Sequence, residues 1–362
     1  MPLHAPRFLG NEKKYLLDCI DTTYVSYVGQ YVSRFEDEIR KYTGTQYAVA
    51  VFSGTAALHV ALLLVDVAHG TEVITQPLTF VAIANAISYC GAQPIFVDVE
   101  RSTLGLDPDK LNDFLINNTV MKSDGRCYNK TTGKNIAACV PMHTIGHPVR
   151  ITQIIEICQR YKIPVVEDAA EALGSFYEGQ HTGTFGELGI LSFNGNKPVT
   201  TGGGGMIITN NEILAAKAKH LTTTAKQPHP WEFVHDAVGY NYRMPNINAA
   251  VGCAQMECFA GVLENKRITA KLYNKFFQDT DIPFITEPAH ARSNYWLNAI
   301  LLKDRQEREK FLSCMAENGI QTRPVWTLMP NLPMYRHCQC TSIKTAQWLE
   351  DRMVNIPSSV RI

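Results

Sequence analysis

Between residues 45 and 210 the chain alternates short, unbroken apolar runs with longer helical patterns, and this alternation constrains the fold more than any other feature. Strands are expected at Tyr47–Phe52, Glu72–Thr75, Gln93–Asp98, Ile136–Met142, Ile163–Asp168, Leu188–Phe193 and Gly205–Thr209. Helices are expected between them at Ala56–Val67, Thr79–Tyr89 and Ile151–Tyr161. The apolar runs do not alternate with polar residues, so both faces of each strand must be covered. Strand–helix–strand order with such strands gives an α/β fold with a mostly parallel sheet. Residues 116–135 are polar and turn-rich and read as an exposed insertion or hairpin. Beyond about residue 250 the pattern changes. A long helix over Asn248–Phe276 leads to a strand at Ser293–Leu302 and helices at Arg305–Asn318 and Thr345–Met353. The expected division is a large α/β domain over 1–250 and a small C-terminal α+β domain over 251–362.

Charge and composition narrow the function. Lys plus Arg is 34 and Asp plus Glu is 34, a net charge of zero, which argues against nucleic acid and against a polybasic membrane anchor. The longest apolar run, Ala56–Ala68, carries His59 and Asp66 and is too short to span a bilayer. The N-terminus lacks the apolar stretch of a signal peptide. The ten cysteines are dispersed and are read as reduced thiols in a cytoplasm. His337-Cys338-Gln339-Cys340 is the only dense group of metal-ligating types, and no further ligands stand at suitable spacing, so no metal is expected.

In doubly wound sheets, ligands bind beyond the carboxyl ends of the strands, so the residues that follow each strand carry the argument. Ser53-Gly54-Thr55 opens a helix after the first strand, where free N–H groups and the helix dipole can cradle a phosphate; taken alone it reads more simply as an ordinary helix cap by Ser53 or Thr55. Asp168 ends the fifth strand in Glu167-Asp168-Ala169-Ala170-Glu171, placed to pair with a protonated heterocycle nitrogen or simply to cap the next helix. Lys197 lies in Asn194-Gly195-Asn196-Lys197, ahead of four glycines at 202–205; on its own it reads as an ordinary surface lysine, but at a sheet edge it can form a Schiff base with an aldehyde cofactor. That glycine run lacks the order of a dinucleotide fingerprint and precedes a strand. Together the anion cradle, the aspartate and the lysine match the phosphate, the ring nitrogen and the aldehyde of pyridoxal 5′-phosphate (PLP).

The ordered motifs SGTAALHVAL, TFVAIANAISYCGAQPIFVDV, EDAAEALGS, SFNGNKPVTTGGGG, GYNYRMPNINAAVG, RPVW and IPSS resemble the DegT/DnrJ/EryC1/StrS sugar aminotransferases over essentially the whole chain. The resemblance implies a fold type I PLP-dependent transferase, aspartate aminotransferase-like. Within the family the N-terminal PLHAP, the SFNGNK form and the insertion before VPMH resemble the LegC-type branch. That branch aminates UDP-linked 4-keto-6-deoxy amino sugars for surface-glycan or nonulosonate-type biosynthesis, with glutamate as amino donor.

By that resemblance Lys197 binds the cofactor covalently and shuttles a proton, and Asp168 partners its ring nitrogen. Gly54, Thr55 and Ser192 match phosphate-binding positions, and Phe80 matches the aromatic that stacks on the ring. Asn241 matches an asparagine delivered to the phosphate from a neighbouring subunit, which implies a homodimer with shared sites. Glu171 stands near the cofactor's phenolic oxygen, where many relatives carry Gln or His, and a carboxylate makes an electrostatically different contact. Pro198 stands after the lysine where an aliphatic residue is expected. His143, with His147 in the same loop, Arg243 and Arg323 are candidate substrate contacts, and each has a structural alternative. Some members carry histidine for the lysine and dehydrate keto sugars; Lys197 favours transamination over that alternative. A non-catalytic PLP-binding regulator should bring a DNA-binding domain and a basic patch, and neither is present.

Overall fold

The computed structural model describes residues 1–361. Seven strands lie side by side: β1 (Tyr47–Val51), β2 (Glu72–Thr75), β3 (Gln93–Phe96), β4 (Ile136–Val140), β5 (Val166–Asp168), β6 (Leu188–Ser192) and β7 (Gly205–Thr209). Their order is β3-β2-β4-β5-β6-β7-β1, with β4 and β5 joined by the parallel bridges Cys139↔Val165 and Met142↔Asp168. All pairs are parallel except those of β7, which runs against β6 and β1. The reason is local. Residues 193–204 join β6 to β7 with no helix between them, and a short connection can join only antiparallel neighbours.

Neighbouring residues on each strand point to opposite cores, as strand geometry requires. Val49, Val51, Ile190 and Ile207 pack with α3 (Gly54–Leu64) and α4 (Ala82–Tyr89). Ala50, Leu191, Met206 and Ile208 pack on the other face with α2 (Gln30–Thr43) and α8 (Asn246–Phe277). The continuous apolar runs are therefore two interleaved half-cores. Ala56–Leu62 of α3 are all buried, which explains a helix apolar on every side.

The polar segment forms a hairpin in which Thr119–Met121 pairs with Cys127–Asn129. In the C-terminal part, β8 (Asn298–Leu301), β9 (Arg323–Pro324) and β10 (Met353–Ile356) form an antiparallel sheet with β10 central. The helix expected to reach Met353 is shorter: α10 (Lys344–Glu350) ends first, and Met353 opens β10 against Leu301. Residue 250 lies inside the unbroken α8. Met1 and Leu3 hydrogen-bond with Gly319, Gln321 and Ser358, and Ala5 with Ser359. We propose that the division near 250 separates two cores, with α8 shared between them and Met1–Ala5 packed on the second. Among the described residues no helix is long and apolar enough to cross a membrane.

Candidate active site

The carboxyl ends of β1, β5 and β6 and the start of β7 meet at one edge of the sheet, around a cavity of about 340 Å³. At its floor Ser53 caps α3 by accepting the Ala56 N–H, 3.1 Å. The N–H groups of Gly54 and Thr55 have no acceptor among the described residues. They point the positive end of the helix dipole at the cavity. A methyl group added at Gly205 would lie 2.5 Å from the Ser53 carbonyl group, and one at Gly54 would lie 3.0 Å from Cβ of Ser192. Glycine at both positions lets β7 and β6 close against the start of α3.

Asp168 is the last residue of β5, buried, with one carboxylate oxygen accepting the Ala170 N–H at 2.9 Å. The other oxygen has no partner among the described residues and belongs to the cavity lining. Burial pushes this carboxyl above its ordinary range. The strand end is braced from behind by Glu167. Its carboxylate accepts N–H bonds from Gly183, Phe185 and Gly186 at 2.6–2.8 Å and lies 3.0 Å from Nε2 of His143. Nδ1 of His143 accepts the Val149 N–H, so the ring proton is on Nε2 and goes to Glu167. His143 is thus wholly buried behind the site, not at a substrate mouth. His147 is also buried, edge-on to Tyr295, and burial lowers its pKa to about 4.

Lys197 lies at the cavity wall, 9% exposed. Its Nζ is 3.2 Å from Oε1 of Glu171 and 3.6 Å above the ring centre of Trp296. The Trp296 indole N–H donates to the carbonyl of Asn196, 2.7 Å, so this one residue holds both the lysine's backbone and its ammonium. Oε2 of Glu171 accepts the Ile145 N–H at 2.8 Å. Ile145 takes φ 51, ψ 20, a left-handed conformation that costs a β-branched residue about 1–2 kcal/mol. Asn248 reaches from α8 to the carbonyls of Thr201 and Gly203 and fixes the glycine loop.

Of the other expected residues, Ser192 and Phe80 line the cavity, and Phe80 is half exposed beside Trp326. Asn241 does not line it: the side chain is exposed and accepts two N–H bonds from Arg243, whose guanidinium lies 3.5 Å over Tyr27. Arg323 is also outside the cavity and exposed. Sequence reading missed Trp296 and Ile145. Neither lies in a strand-end motif, and Trp296 comes from a segment one hundred residues away in the chain. Among the described residues no group of three or more metal-ligating side chains is gathered.

The residues present fit PLP on their own chemistry. Two unpaired N–H groups at a helix start suit a phosphate, the unpartnered oxygen of the buried Asp168 suits a protonated ring nitrogen, and Lys197 lines the same cavity.

Residues 8–362 match the model of the DegT/DnrJ/EryC1/StrS aminotransferase family. The chain is 36% identical to GDP-perosamine synthase of Escherichia coli O157:H7, over 99% of this chain and 93% of that one. It is 35% identical to GDP-perosamine synthase of Caulobacter vibrioides, over 98% and 92% respectively. The PLP form of the sugar aminotransferase Spr1654 from Streptococcus pneumoniae shares the fold, with TM-score 0.88 at 21% identity, covering 99% of this chain and 93% of that one.

Proposed function

The chain belongs to the DegT/DnrJ/EryC1/StrS aminotransferase family, and on that premise we propose that it moves an amino group from glutamate to C4 of a nucleotide-linked 4-keto-6-deoxy sugar. It is a PLP-dependent aminotransferase. The sequence resemblance favours a UDP-linked amino sugar for surface-glycan or nonulosonate-type biosynthesis. The relatives called GDP-perosamine synthases put GDP beside UDP as the nucleotide. The observation that carries the proposal is the convergence of Lys197, Asp168 and the start of α3 on one cavity.

Bound there, PLP supplies an electron sink for the charge left when a carbon loses its proton. Gly54 and Thr55 N–H groups, with the Ser192 hydroxyl, are the proposed phosphate holders. The free oxygen of Asp168 is the proposed acceptor for the ring N–H, and Phe80 the flat neighbour of the ring. Lys197 is the only lysine of the cavity wall among the described residues. As a free amine its Nζ can take a proton from a substrate carbon and return it, a role worth about 10²–10⁴-fold. The ring of Trp296 and the Glu171 carboxylate hold that nitrogen in place.

Asn241 lies outside this chain's own cavity, and the loop beside it exposes Trp231 at 75%, Phe233 at 80% and Val238 at 82%. Such an apolar surface suits a second copy, and supports a homodimer in which Asn241 serves the partner's site. The ten free cysteines suit a reducing compartment, with the cytoplasm as the proposed location.

The test is an assay of the PLP-loaded protein with glutamate and a panel of GDP- and UDP-linked 4-keto-6-deoxy sugars, the product identified by NMR. The expected result is 2-oxoglutarate together with a 4-amino sugar from at least one substrate. Ammonia release without an amino donor, or no amination across the panel, would sink the proposal.

A further inference from the structure

Among the described residues Glu171 holds the one carboxylate in contact with Lys197, and its surroundings are built around the proton between them. Oε1 faces Nζ at 3.2 Å, and Oε2 is fixed by the N–H of Ile145, a residue held in a left-handed backbone conformation that aims that N–H at it. Both side chains are almost wholly buried. Asn294 donates to the Glu171 carbonyl and so pins its backbone as well. The charged group facing Glu171 besides Lys197 is Asp168, on β5. On the lysine's other sides stand the ring of Trp296 and the imidazole of His4, which burial, Lys266 and Lys197 together keep neutral.

The proposed chemistry asks two opposite things of Lys197. It must be a neutral amine to attack a carbonyl or accept a proton from carbon, and it must survive as an ammonium in a buried site after it has done so. From this geometry we infer that Glu171 is the proton partner of Lys197: it is the counter-charge while Nζ carries the extra proton, and it receives that proton on Oε1 when Lys197 must be an amine. The inference rests on the reading of Lys197 as the reacting amine. The bond that breaks is Nζ–H and the bond that forms is Oε1–H. Ammonium plus carboxylate becomes amine plus carboxylic acid, with no change of net charge and nothing consumed. Burial brings the two arrangements close in energy, because it penalises the charged pair while their attraction favours it. Burial, opposed by the Lys197 charge, sets the Glu171 carboxyl at about 7, where a proton is readily taken and given.

Glu171→Gln tests this. The amide oxygen keeps the Ile145 N–H while its NH2 group, a donor that can neither take a proton nor carry the counter-charge, faces Nζ, so a role confined to anchoring Ile145 survives the change. The PLP-loaded wild type and variant are titrated by the absorbance of the bound cofactor, and kcat is followed against pH with glutamate. In the wild type a spectral transition is expected near pH 7, with kcat falling as pH drops through it, because a Glu171 that already carries a proton cannot receive the one on Nζ. In the variant that transition and that fall vanish, and kcat drops roughly 10²-fold while KM for glutamate changes less. Superimposable titrations and rates overturn the inference. If the variant does not fold, the wild type alone decides: a kcat with glutamate that does not fall as pH drops from neutral overturns it. Borohydride separates the two levels. Wild-type protein that is not fixed on Lys197 overturns the functional reading and this inference together. Fixation with unchanged titrations overturns the proton partnership alone.

Discussion

Lys197 and Lys266 are both buried lysines in contact with Trp296, and their surroundings give them different work. Lys266, on α8, donates to the carbonyls of Trp296 and Ser358 at 3.0 and 2.8 Å, and burial lowers its pKa to about 7. A depressed lysine pKa is what a reacting amine needs. Lys266 nevertheless lines no part of the cavity; its protons tie α8 to the C-terminal segment. Lys197 has the cavity in front of it and a carboxylate beside it. Position relative to the strand ends, rather than burial, separates the two, and position was the part legible in the sequence. Lys197, Asp168, Gly54 and Thr55 could be singled out because each follows an apolar run that had to be a strand. His143 also follows such a run, but nothing in the chain's pattern says whether a side chain there turns to the cavity or inward. Three N–H bonds and an imidazole around Glu167 settle that inward turn, and they come from residues 183–186, which no local pattern connects to it.

At the scale of elements, the approach of β7 to α3 shapes the proposed phosphate end of the site. Gly205 lies against the Ser53 carbonyl so closely that any Cβ must push the start of α3 away. Gly205→Ala is expected to weaken PLP binding about tenfold, corresponding to the 1–3 kcal/mol typical of an overpacked contact, while far-ultraviolet circular dichroism stays unchanged. The check is a fluorescence titration of the apoprotein with PLP, and an unaltered affinity would mean that Gly54 and Thr55 do not hold the phosphate. The seven strands and the large helices were legible because each carries its own apolar run. The end of α10 was not: Trp348, Leu349 and Met353 continue an apolar pattern, and only pairing with β8 tells that Met353 has left the helix. The reversal of β7 was implicit in the short link from β6, where no crossover helix fits.

For the whole molecule the balance of charge takes on a local meaning. The proposed ligands are anionic and the chain is neutral, with 34 charges of each sign, so attraction must come from the start of α3, Lys197 and a few arginines. Neutrality also suits the proposed homodimer. The proposed shared sites make a sharp prediction: Lys197→Ala and Asn241→Ala proteins, each inactive or nearly so alone, regain about a quarter of wild-type activity when unfolded and refolded together, since half the random dimers carry one intact site. Complementation that never appears on mixing would confine Asn241 to its own chain or remove it from the site. The claim on which all of this depends is that one lysine of the chain does the chemistry. Borohydride reduction of the PLP-loaded protein, followed by proteolysis and mass spectrometry, reads this directly. The predicted result is the reduced cofactor on the peptide containing Lys197 and on no other. Label on Lys266 or on a surface lysine, or no stable label at all, would contradict it.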